Sequence, residues 1–391
     1  MLVVSDVDGV LTDGRINVGE SGELFKSFDV KDGLGIVRWM EAGGEFAIVT
    51  SRTSGAVRHR AAELGVETVR QGVSDKTTVI EELAAERELP LEKVAYVGDD
   101  DTDISAIERV GVGAAPANAS TSARRAADYV CSSEGGEGAV REFLKYLNKQ
   151  SAKAIGVIPA RYGSTRLPGK PLADIAGKPM IHHVYERAAE AAELDDVVVA
   201  TDDERIVEAV EEIGGEAVMT DPNCSTGTDR VAAVARKSGY DITVNIQGDE
   251  PLIDPDIIDA TVVALRRNPP RMATPVSVVE NASLLGDPNT VKVVTDINGQ
   301  ALYFSRSRIP SQGEEGKTLK HIGLYAFETD LLLEYINLES VLEPREDLEQ
   351  LRLLENGYAI QTVRVDYDSK EVNVADDIKE VESLLRKKDD I

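Results

Sequence analysis

Residues 2–9, LVVSDVDG, and residues 154–170, AIGVIPARYGSTRLPGK, each open with an apolar, β-rich run that ends abruptly in polar, glycine-containing sequence. Such a run is typical of the first strand of an α/β domain, whose ligands bind at the carboxyl ends of the strands. The chain of 391 residues is long enough for two or three domains. We therefore predict an N-terminal domain over 1–150 and a C-terminal domain over 151–391.

Along the rest of the chain, apolar segments alternate with segments in which apolar residues recur with the period of a helix. In the first half the pattern predicts strands at 2–7, 45–50, 67–70, 94–98, 110–114 and 128–131, helices at 33–42, 54–64, 76–88, 102–109 and 138–148, and a β-hairpin within 14–29. This alternation predicts a parallel sheet with helices on both faces.

The second half shows the same alternation. The predicted strands are 154–159, 197–201, 216–219, 242–246, 272–279, 290–296, 300–306, 321–327 and 360–366. The predicted helices are 179–193, 203–213, 227–238, 255–267, 328–336, 344–356 and 376–388. We therefore predict a second α/β domain, with a mixed sheet in its later part.

The composition excludes several classes of protein. The net charge is −27, so the surface repels nucleic acid and anionic membranes. No apolar run approaches the ~20 residues that span a bilayer, and the acidic start predicts no signal peptide, so we expect a cytoplasmic protein. Two cysteines, Cys131 and Cys224, are too few for a disulfide framework or a zinc cluster.

Polar groups gather at predicted strand ends in the first half. Asp6 and Asp8 end the first strand two positions apart, so they share one side of an extended chain and repel unless a cation or a proton lies between them. The matching groups on later elements are Thr50, Ser51, Lys76, Asp99, Asp100 and Asp103. Together they supply a nucleophile, a general acid, a phosphate-binding hydroxyl, a cation and Mg²⁺ ligands, as phosphoryl transfer through an aspartyl-phosphate requires.

The stretches DVDGVLTDGRI, FKSFDVKDGLGI, VTSR, VAYVGDD and GGEGAVREFL resemble the haloacid dehalogenase-type phosphatases, and most closely their 3-deoxy-D-manno-octulosonate 8-phosphate (KDO 8-phosphate) phosphatase branch, over 1–147. The resemblance implies a Rossmann-like domain with Asp6 as nucleophile and Asp8 as general acid and base. It implies that Thr50 and Lys76 bind the phosphoryl group. The implied Mg²⁺ ligands are Asp6, Asp8 and Asp99, helped by Asp100 or Asp103.

That branch is capless and closes its sites by forming a tetramer. Only 36 residues separate Asp13 from Thr50, which is too few for a large cap domain. One position departs from the branch, whose tail reads GGRGAVRE, because Glu137 stands in place of the arginine. This reversed charge leaves the identity of the sugar acid open.

The loop that follows the strand at 154–159 is basic. Arg161, Arg166 and Lys170 fall within ten residues on a glycine-punctuated loop of an otherwise acidic chain. Backbone N–H groups and fixed cations suit a triphosphate, so the loop predicts a bound polyanion. Its spacing is not GxxxxGK[ST], so it is not an NTPase P-loop.

The stretches PARYGSTRLPGKPL, GKPMI, VATD, NIQGDEP, VKVV, ALYFSRSRIP, HIGLYAF and LEQLR resemble the cytidylyltransferases of ulosonic acids, above all 3-deoxy-manno-octulosonate cytidylyltransferase, over about 154–386. The resemblance implies a glycosyltransferase-A-like α/β domain. The CTP-binding residues that it implies are Arg161, Ser164, Arg166, Lys170 and Gln247. The sugar-acid-binding residues that it implies are Arg306, His321, Tyr325, Glu349 and Gln350.

The resemblance places Mg²⁺ on Asp249 and on position 373. That position is an aspartate in the family and Asn373 in this chain. Either Asn373 is a weak ligand, which we favour, or a nearby acid replaces it; the candidates are Asp366, Asp368 and Asp376. A second departure is Ser225, which stands where the family has glutamine.

The two resemblances predict one bifunctional enzyme that frees KDO from its 8-phosphate and then transfers CMP to it from CTP. One alternative is the same pair of reactions on a nine-carbon acid such as KDN or a sialic acid. Another is a cytidylyltransferase with an inactive N-terminal oligomerisation domain. We expect CTP and KDO-type acids as partners, no nucleic acid or membrane insertion, and a homo-oligomer built from N-terminal tetramers and C-terminal dimers.

Overall fold

The computed structural model describes residues 1–20, 22–163, 167–267, 270–314, 316–368 and 370–389. The chain folds into two compact units, Met1–Gln150 and Ser151–Ile391. Both units are α/β, as the sequence predicts. Within the ranges above, no helix has the length and apolarity needed to cross a bilayer.

The first unit alternates strands and helices along the chain. Its strands are β1 (Leu2–Ser5), β2 (Asn17–Gly19), β3 (Gly22–Phe25), β4 (Glu45–Thr50), β5 (Thr68–Gln71), β6 (Val94–Val97), β7 (Val112–Ala115) and β8 (Tyr129–Val130). Its helices are α1 (Val30–Glu41), α2 (Gly55–Leu64), α3 (Lys76–Ala85), α4 (Ile104–Arg109), α5 (Thr121–Ala126) and α6 (Ala139–Gln150).

Six of these strands form a parallel sheet in the order β5-β4-β1-β6-β7-β8. Alternate side chains of β1 are buried on its two faces: Val3 packs with residues of α1, α2 and α6, while Leu2 and Val4 pack with residues of α3, α4 and α5. The predicted hairpin is confirmed, because β2 and β3 pair antiparallel outside the sheet. Since β1 is central, the residues that follow it lie in the middle of the carboxyl edge.

The second unit contains the longer series of elements. Its strands are β9 (Ala154–Ala160), β10 (Asp174–Ile175), β11 (Lys178–Pro179), β12 (Asp196–Thr201), β13 (Glu216–Met219), β14 (Ile242–Asn245), β15 (Met272–Val278), β16 (Lys292–Thr295), β17 (Ala301–Ser305), β18 (Leu319–His321), β19 (Tyr325–Glu328) and β20 (Gln361–Arg364). Its helices are α7 (Met180–Ala189), α8 (Glu204–Glu212), α9 (Gly227–Ser238), α10 (Pro255–Arg267), α11 (Thr329–Tyr335), α12 (Glu343–Glu346), α13 (Leu351–Glu355) and α14 (Ala375–Asp389).

The predicted mixed sheet is confirmed in this unit. Strands β13, β12, β9 and β14 are parallel, and β19, β15, β18, β16 and β17 continue the sheet in antiparallel pairs. β20 pairs parallel with β15. One face of the sheet packs on α7, α8 and α10, and the other packs on α9, α11 and α13.

Two local predictions were wrong, and two short elements were not predicted. The predicted strand at 321–327 is divided between β18, which ends at His321, and β19, which begins at Tyr325. The predicted helix at 344–356 is two short helices, because Asp347 takes a left-handed conformation with φ of 55° and ends α12. The short hairpin of β10 and β11 and the six-residue helix α5 were missed, since elements so short show no periodicity. The break at Asp347 matters most, because Glu349 and Gln350 then lie between the two helices.

Candidate active sites

The first site is built around Asp6, directly after the central strand. Asp6 is buried, and its carboxylate accepts hydrogen bonds from Val7 N at 2.7 Å and from Lys76 Nζ at 2.6 Å. Lys76 opens α3 and also donates to Asp103 Oδ1 at 2.5 Å. Asp103 further accepts from Tyr96 Oη at 2.7 Å, so the lysine joins two buried acids.

Three acids converge at this point. One carboxylate oxygen from each of Asp6, Asp99 and Asp103 lies within 4.8 Å of the others. Burial raises the pKa of Asp99 to about 7, and the charges of Asp6 and Asp103 add to that rise. Burial also raises the pKa of Asp6, which Lys76 opposes. A hard divalent cation relieves such repulsion and prefers oxygen ligands, so these residues fit Mg²⁺.

Gly9 lets the first loop approach Asp99. Its φ is +82°, and a Cβ atom built on it would lie 1.9 Å from Asp99 Oδ2. A side chain at position 9 would therefore both strain the backbone and displace the carboxylate. The glycine of the DVDG motif is thus required by the geometry of the acid cluster.

Three further residues named in the sequence analysis of this domain lie on different elements. Thr50 ends β4 beside β1 and is buried, at 2% exposed. Asp100 is exposed and caps the turn that leads into α4. Glu137 is exposed, in a loop whose Gly136 N donates to Val10 O at 2.9 Å.

Asp8 has partners that the sequence did not suggest. Its Oδ1 accepts from Lys26 Nζ, and its Oδ2 lies 3.7 Å from Arg52 Nε. Lys26 directly follows β3, so the hairpin reaches back to the first strand. A cation in a predicted hairpin is expected to be solvated. The only sequence signal for Lys26 was its place in the stretch FKSFDVKDGLGI, which gave it no role.

The second unit carries two adjoining cavities. The smaller, of about 320 Å³, is lined by Pro159, Ala160, Arg161, Lys170, Pro171, Met180, Cys224, Ser225, Thr226, Gly227, Arg230, Gln247, Gly248, Asp249 and Glu349. It brings together the predicted Arg161, Lys170, Gln247 and Asp249. Ser164 and Arg166 lie outside the described residues.

Charged pairs shape the smaller cavity. Lys170 Nζ lies 2.7 Å from Asp249 Oδ2. Arg230, whose side chain is 4% exposed, donates to Asp202 Oδ2 at 2.9 Å and to Thr220 Oγ1. Arg230 was not singled out from the sequence. Its partners Thr220 and Asp202 are 10 and 28 positions away in the chain, so only the packing of the folded chain brings them together.

The larger cavity has a volume of about 520 Å³. Its lining includes all five residues that were predicted to bind the sugar acid: Arg306, His321, Tyr325, Glu349 and Gln350. It shares Gly227, Gln247, Asp249 and Glu349 with the smaller cavity. The two predicted substrate sites are therefore adjacent, with Asp249 at their junction.

Aromatic packing holds the imidazole in the larger cavity. The ring of His321 lies 5.2 Å from that of Phe304 and 5.3 Å from that of Tyr325, measured between centroids. Burial lowers the pKa of His321 to about 3, so the ring is neutral at pH 7. Its Nε2 hydrogen-bonds Thr274 Oγ1 at 2.9 Å, and Tyr325 Oη donates to Gln350 Oε1 at 3.3 Å. The ring is a hydrogen-bonding group there, and not a cation.

Arg306 is held by the backbone. Its guanidinium donates to three carbonyl oxygens, those of Glu346 at 2.9 Å, Pro288 at 3.1 Å and Asp347 at 3.0 Å. These bonds fix a positive charge at the wall of the cavity. Arg306 thus suits the recognition of an anionic group.

Carboxylates near Asp249 include two that the sequence analysis missed. Glu250 is 2% exposed, neither of its carboxylate oxygens has a hydrogen-bond partner among the described residues, and its pKa is raised to about 8 by burial and by the charges of Glu371 and Asp249. Glu371 lines the larger cavity with Asp249. Asn373 lines neither described cavity, and its Nδ2 donates to Glu371 Oε2 at 3.0 Å.

The three acids that could replace the family aspartate at position 373 differ in their exposure and in whether they line a cavity. Asp368 lines the larger cavity and pairs with Lys320. Asp376 is exposed and pairs with Lys379 at 2.9 Å, and Asp366 is exposed. Of the three candidates, Asp368 alone lines a cavity with Asp249.

Comparison with known proteins divides the chain at a similar place. Residues 155–366 match the cytidylyltransferase family, and residues 66–144 match the haloacid dehalogenase-like hydrolases. A 3-deoxy-manno-octulosonate cytidylyltransferase from Desulfatibacillum aliphaticivorans is 51% identical over 242 residues, which cover 60% of this chain and 99% of that protein.

Two solved structures are also similar. A CMP:2-keto-3-deoxy-manno-octonic acid synthetase complexed with CTP is 45% identical with a TM-score of 0.58, over 61% of this chain and 100% of that chain. A 3-deoxy-D-manno-octulosonate 8-phosphate phosphatase from Moraxella catarrhalis, in complex with magnesium, phosphate and KDO, is 38% identical with a TM-score of 0.37, over 38% of this chain and 85% of that chain.

Proposed function

Since the chain belongs to the cytidylyltransferase family, we propose that it transfers CMP from CTP to KDO after releasing KDO from its 8-phosphate. The observation that carries this proposal is the pair of adjoining cavities, in which the polar residues of the CTP loop and the five sugar-acid residues share Asp249 and Gln247. We assign CMP transfer to Ser151–Ile391 and phosphate release to Met1–Gln150.

Phosphate release uses the acids at the end of β1. The Asp6 carboxylate attacks the phosphorus, the bond from phosphorus to the sugar oxygen breaks, and Asp8 donates a proton to that oxygen. Water then cleaves the aspartyl-phosphate, and Asp8 takes up its proton. Lys76 lies 2.6 Å from Asp6 Oδ2, where it neutralises phosphoryl charge, and Thr50 supplies a hydroxyl.

CMP transfer is a single in-line displacement. The anomeric hydroxyl oxygen of KDO attacks the α-phosphorus of CTP, and pyrophosphate leaves. Arg161 and Lys170 line the cavity for the triphosphate, while Arg306, His321, Tyr325, Glu349 and Gln350 line the one for the sugar acid. Holding both substrates in line supplies most of the acceleration.

Both halves would use Mg²⁺, which neutralises charge on phosphate oxygens. Asp6 and Asp99, with Asp100 or Asp103, would hold it in the first half, because Lys26 and Arg52 face the Asp8 carboxylate. Asp249 with Asn373 would hold it in the second half. In the first half three carboxylates cluster around one lysine, Lys76, so negative charge is left for a bound cation, whereas Lys170 already balances the charge of Asp249. The second ion would therefore enter largely with CTP.

We further propose that the chain forms homo-oligomers, with tetramers through the first unit. The hairpin of β2 and β3 exposes Val18, Leu24 and Phe25, and Val30 at the start of α1 is 78% exposed. An apolar patch of this kind on a charged surface is typical of a contact between proteins. Dimer formation through the second unit and a cytoplasmic location stay predictions.

A substrate panel tests the function. Phosphorylated and free eight-carbon and nine-carbon ulosonic acids are supplied with CTP, and phosphate and pyrophosphate are measured separately. We expect phosphate from KDO 8-phosphate and pyrophosphate from KDO with CTP. Faster turnover of a nine-carbon acid in both assays would instead assign the enzyme to KDN or sialic acid.

The Mg²⁺ requirement of the two reactions is expected to differ. CMP transfer should need more Mg²⁺ than phosphate release, because Asn373 brings no negative charge to Asp249. Asn373→Asp should lower that requirement, as measured by titrating Mg²⁺ in both assays. If Asn373→Asp changes nothing and Glu371→Gln raises the requirement, the second ligand is Glu371 and the weak-ligand hypothesis is wrong.

A further inference from the structure

A buried lysine, Lys26, lies at the end of the hairpin of β2 and β3 and contacts the first site. The side chain of Lys26 is 1% exposed, although the neighbouring Leu24 and Phe25 are exposed. Its Nζ contacts Asp8 Oδ1 and lies 3.3 Å from Glu23 Oε2. Glu23 in turn accepts from the hydroxyl of Ser54, the residue before α2. The hairpin is thereby joined to the catalytic loop through ionic and hydrogen-bonded contacts.

A lysine side chain is rarely buried unless an anionic group pairs with it. Taking an ammonium group out of water is costly unless an anion replaces the water, and a flexible side chain at a hairpin end has solvent within reach. Lys26 nevertheless points inward onto one oxygen of Asp8. The second cation near Asp8, Arg52, is half exposed and 3.7 Å from the other oxygen. Lys26 is therefore the group that holds the orientation of this carboxyl.

We propose that Lys26 is a positioning residue for the general acid Asp8, an inference that rests on the phosphatase half of the proposed function. By holding Oδ1, Lys26 turns Oδ2 of Asp8 toward the leaving oxygen of the sugar. As Asp6 bonds to phosphorus, the electron pair of the breaking bond goes to that oxygen, which takes the proton of Asp8. A misaligned carboxyl transfers this proton poorly, even when the substrate is bound normally.

Leaving-group dependence separates positioning from a structural role. An alkyl phosphate such as KDO 8-phosphate leaves as a basic alkoxide and needs the proton. A p-nitrophenyl phosphate leaves as a weakly basic phenolate and needs it little. In Lys26→Met we expect kcat to fall about 10- to 100-fold with KDO 8-phosphate, with KM nearly unchanged. With p-nitrophenyl phosphate we expect the release of p-nitrophenolate in a single turnover, which reports the first step alone, to fall less than about threefold.

Matched variants sharpen the test. In the first step Asp8→Asn should show the same selective loss, and Lys26→Arg should recover part of the activity, because it restores a cation. Lys31→Met removes an exposed lysine five positions further on and should behave like the parent. Thermal unfolding of the first unit, followed in the same chains, reports whether each variant is folded, and Lys26→Gln replaces Lys26→Met if that variant is not.

Each outcome decides the proposal. A selective loss with the alkyl phosphate supports it. Equal losses with both phosphates would assign Lys26 a structural role, and unchanged kinetics would show that Asp8 needs no such partner. If the parent releases no phosphate from either substrate, the phosphatase assignment itself fails, and the role of Lys26 fails with it.

Discussion

Asp6→Asn is expected to abolish phosphate release from KDO 8-phosphate while CMP transfer continues at the parent rate. An amide is not a nucleophile, so no aspartyl-phosphate forms, and we expect a loss of at least about a thousandfold in kcat. The substitution keeps the shape of the side chain. Lys76 also keeps its second partner, Asp103, at 2.5 Å, so the unit should remain folded. The two products are measured separately in one preparation.

Asp13→Asn is the matched control for this experiment. Asp13 is exposed on the same loop and lies 3.7 Å from Arg15, so the same chemical change there should leave phosphate release intact. Phosphatase activity that survives in Asp6→Asn would mean that Asp6 is not the nucleophile. If instead the parent releases no phosphate while it transfers CMP, the first unit is an inactive oligomerisation domain.

Lys170→Ala is expected to lower kcat/KM for CTP at least about tenfold, with phosphate release unchanged. A charge-assisted contact to a phosphate oxygen contributes about 1.5–3 kcal/mol, which corresponds to about 10- to 150-fold. The loss has a second source in this chain. Lys170 Nζ lies 2.7 Å from Asp249, so its removal also leaves that carboxylate without its cation. Arg161→Ala removes a lining cation without this second effect and should be the milder variant.

Lys178→Ala provides the comparison for the nucleotide loop. Lys178 lies eight positions further on, is exposed and pairs with Glu186 at 3.0 Å at the surface. Steady-state kinetics with varied CTP at saturating KDO should show no change in this variant. Near-normal turnover in both Lys170→Ala and Arg161→Ala would mean that the loop does not hold the triphosphate.

Hydrophobic periodicity was enough to predict most of the fold. The first strand and its neighbours were predicted because a central parallel strand is apolar on both faces and ends abruptly in polar residues, as LVVS does before Asp6. The break of the helix at Asp347 was not predictable in this way. Periodicity averages over several turns, whereas one residue with φ of 55° ends a helix. That single residue decides how Glu349 and Gln350 reach the larger cavity.

The sequence by itself determined which polar groups stand at strand ends, because parallel strands bring their carboxyl ends to one edge of a sheet. Asp6, Asp99 and Lys76 could be grouped on that ground before any contact was known. The tertiary structure alone decided which charges are buried and with what partners. Lys26 and Asp8 are 18 residues apart, and Thr228 and Glu349 are 121 apart. From the sequence alone, a charged residue is expected at the solvated surface. Only the packing of the folded chain buries such a residue, and a buried charge is costly in free energy unless it has a partner.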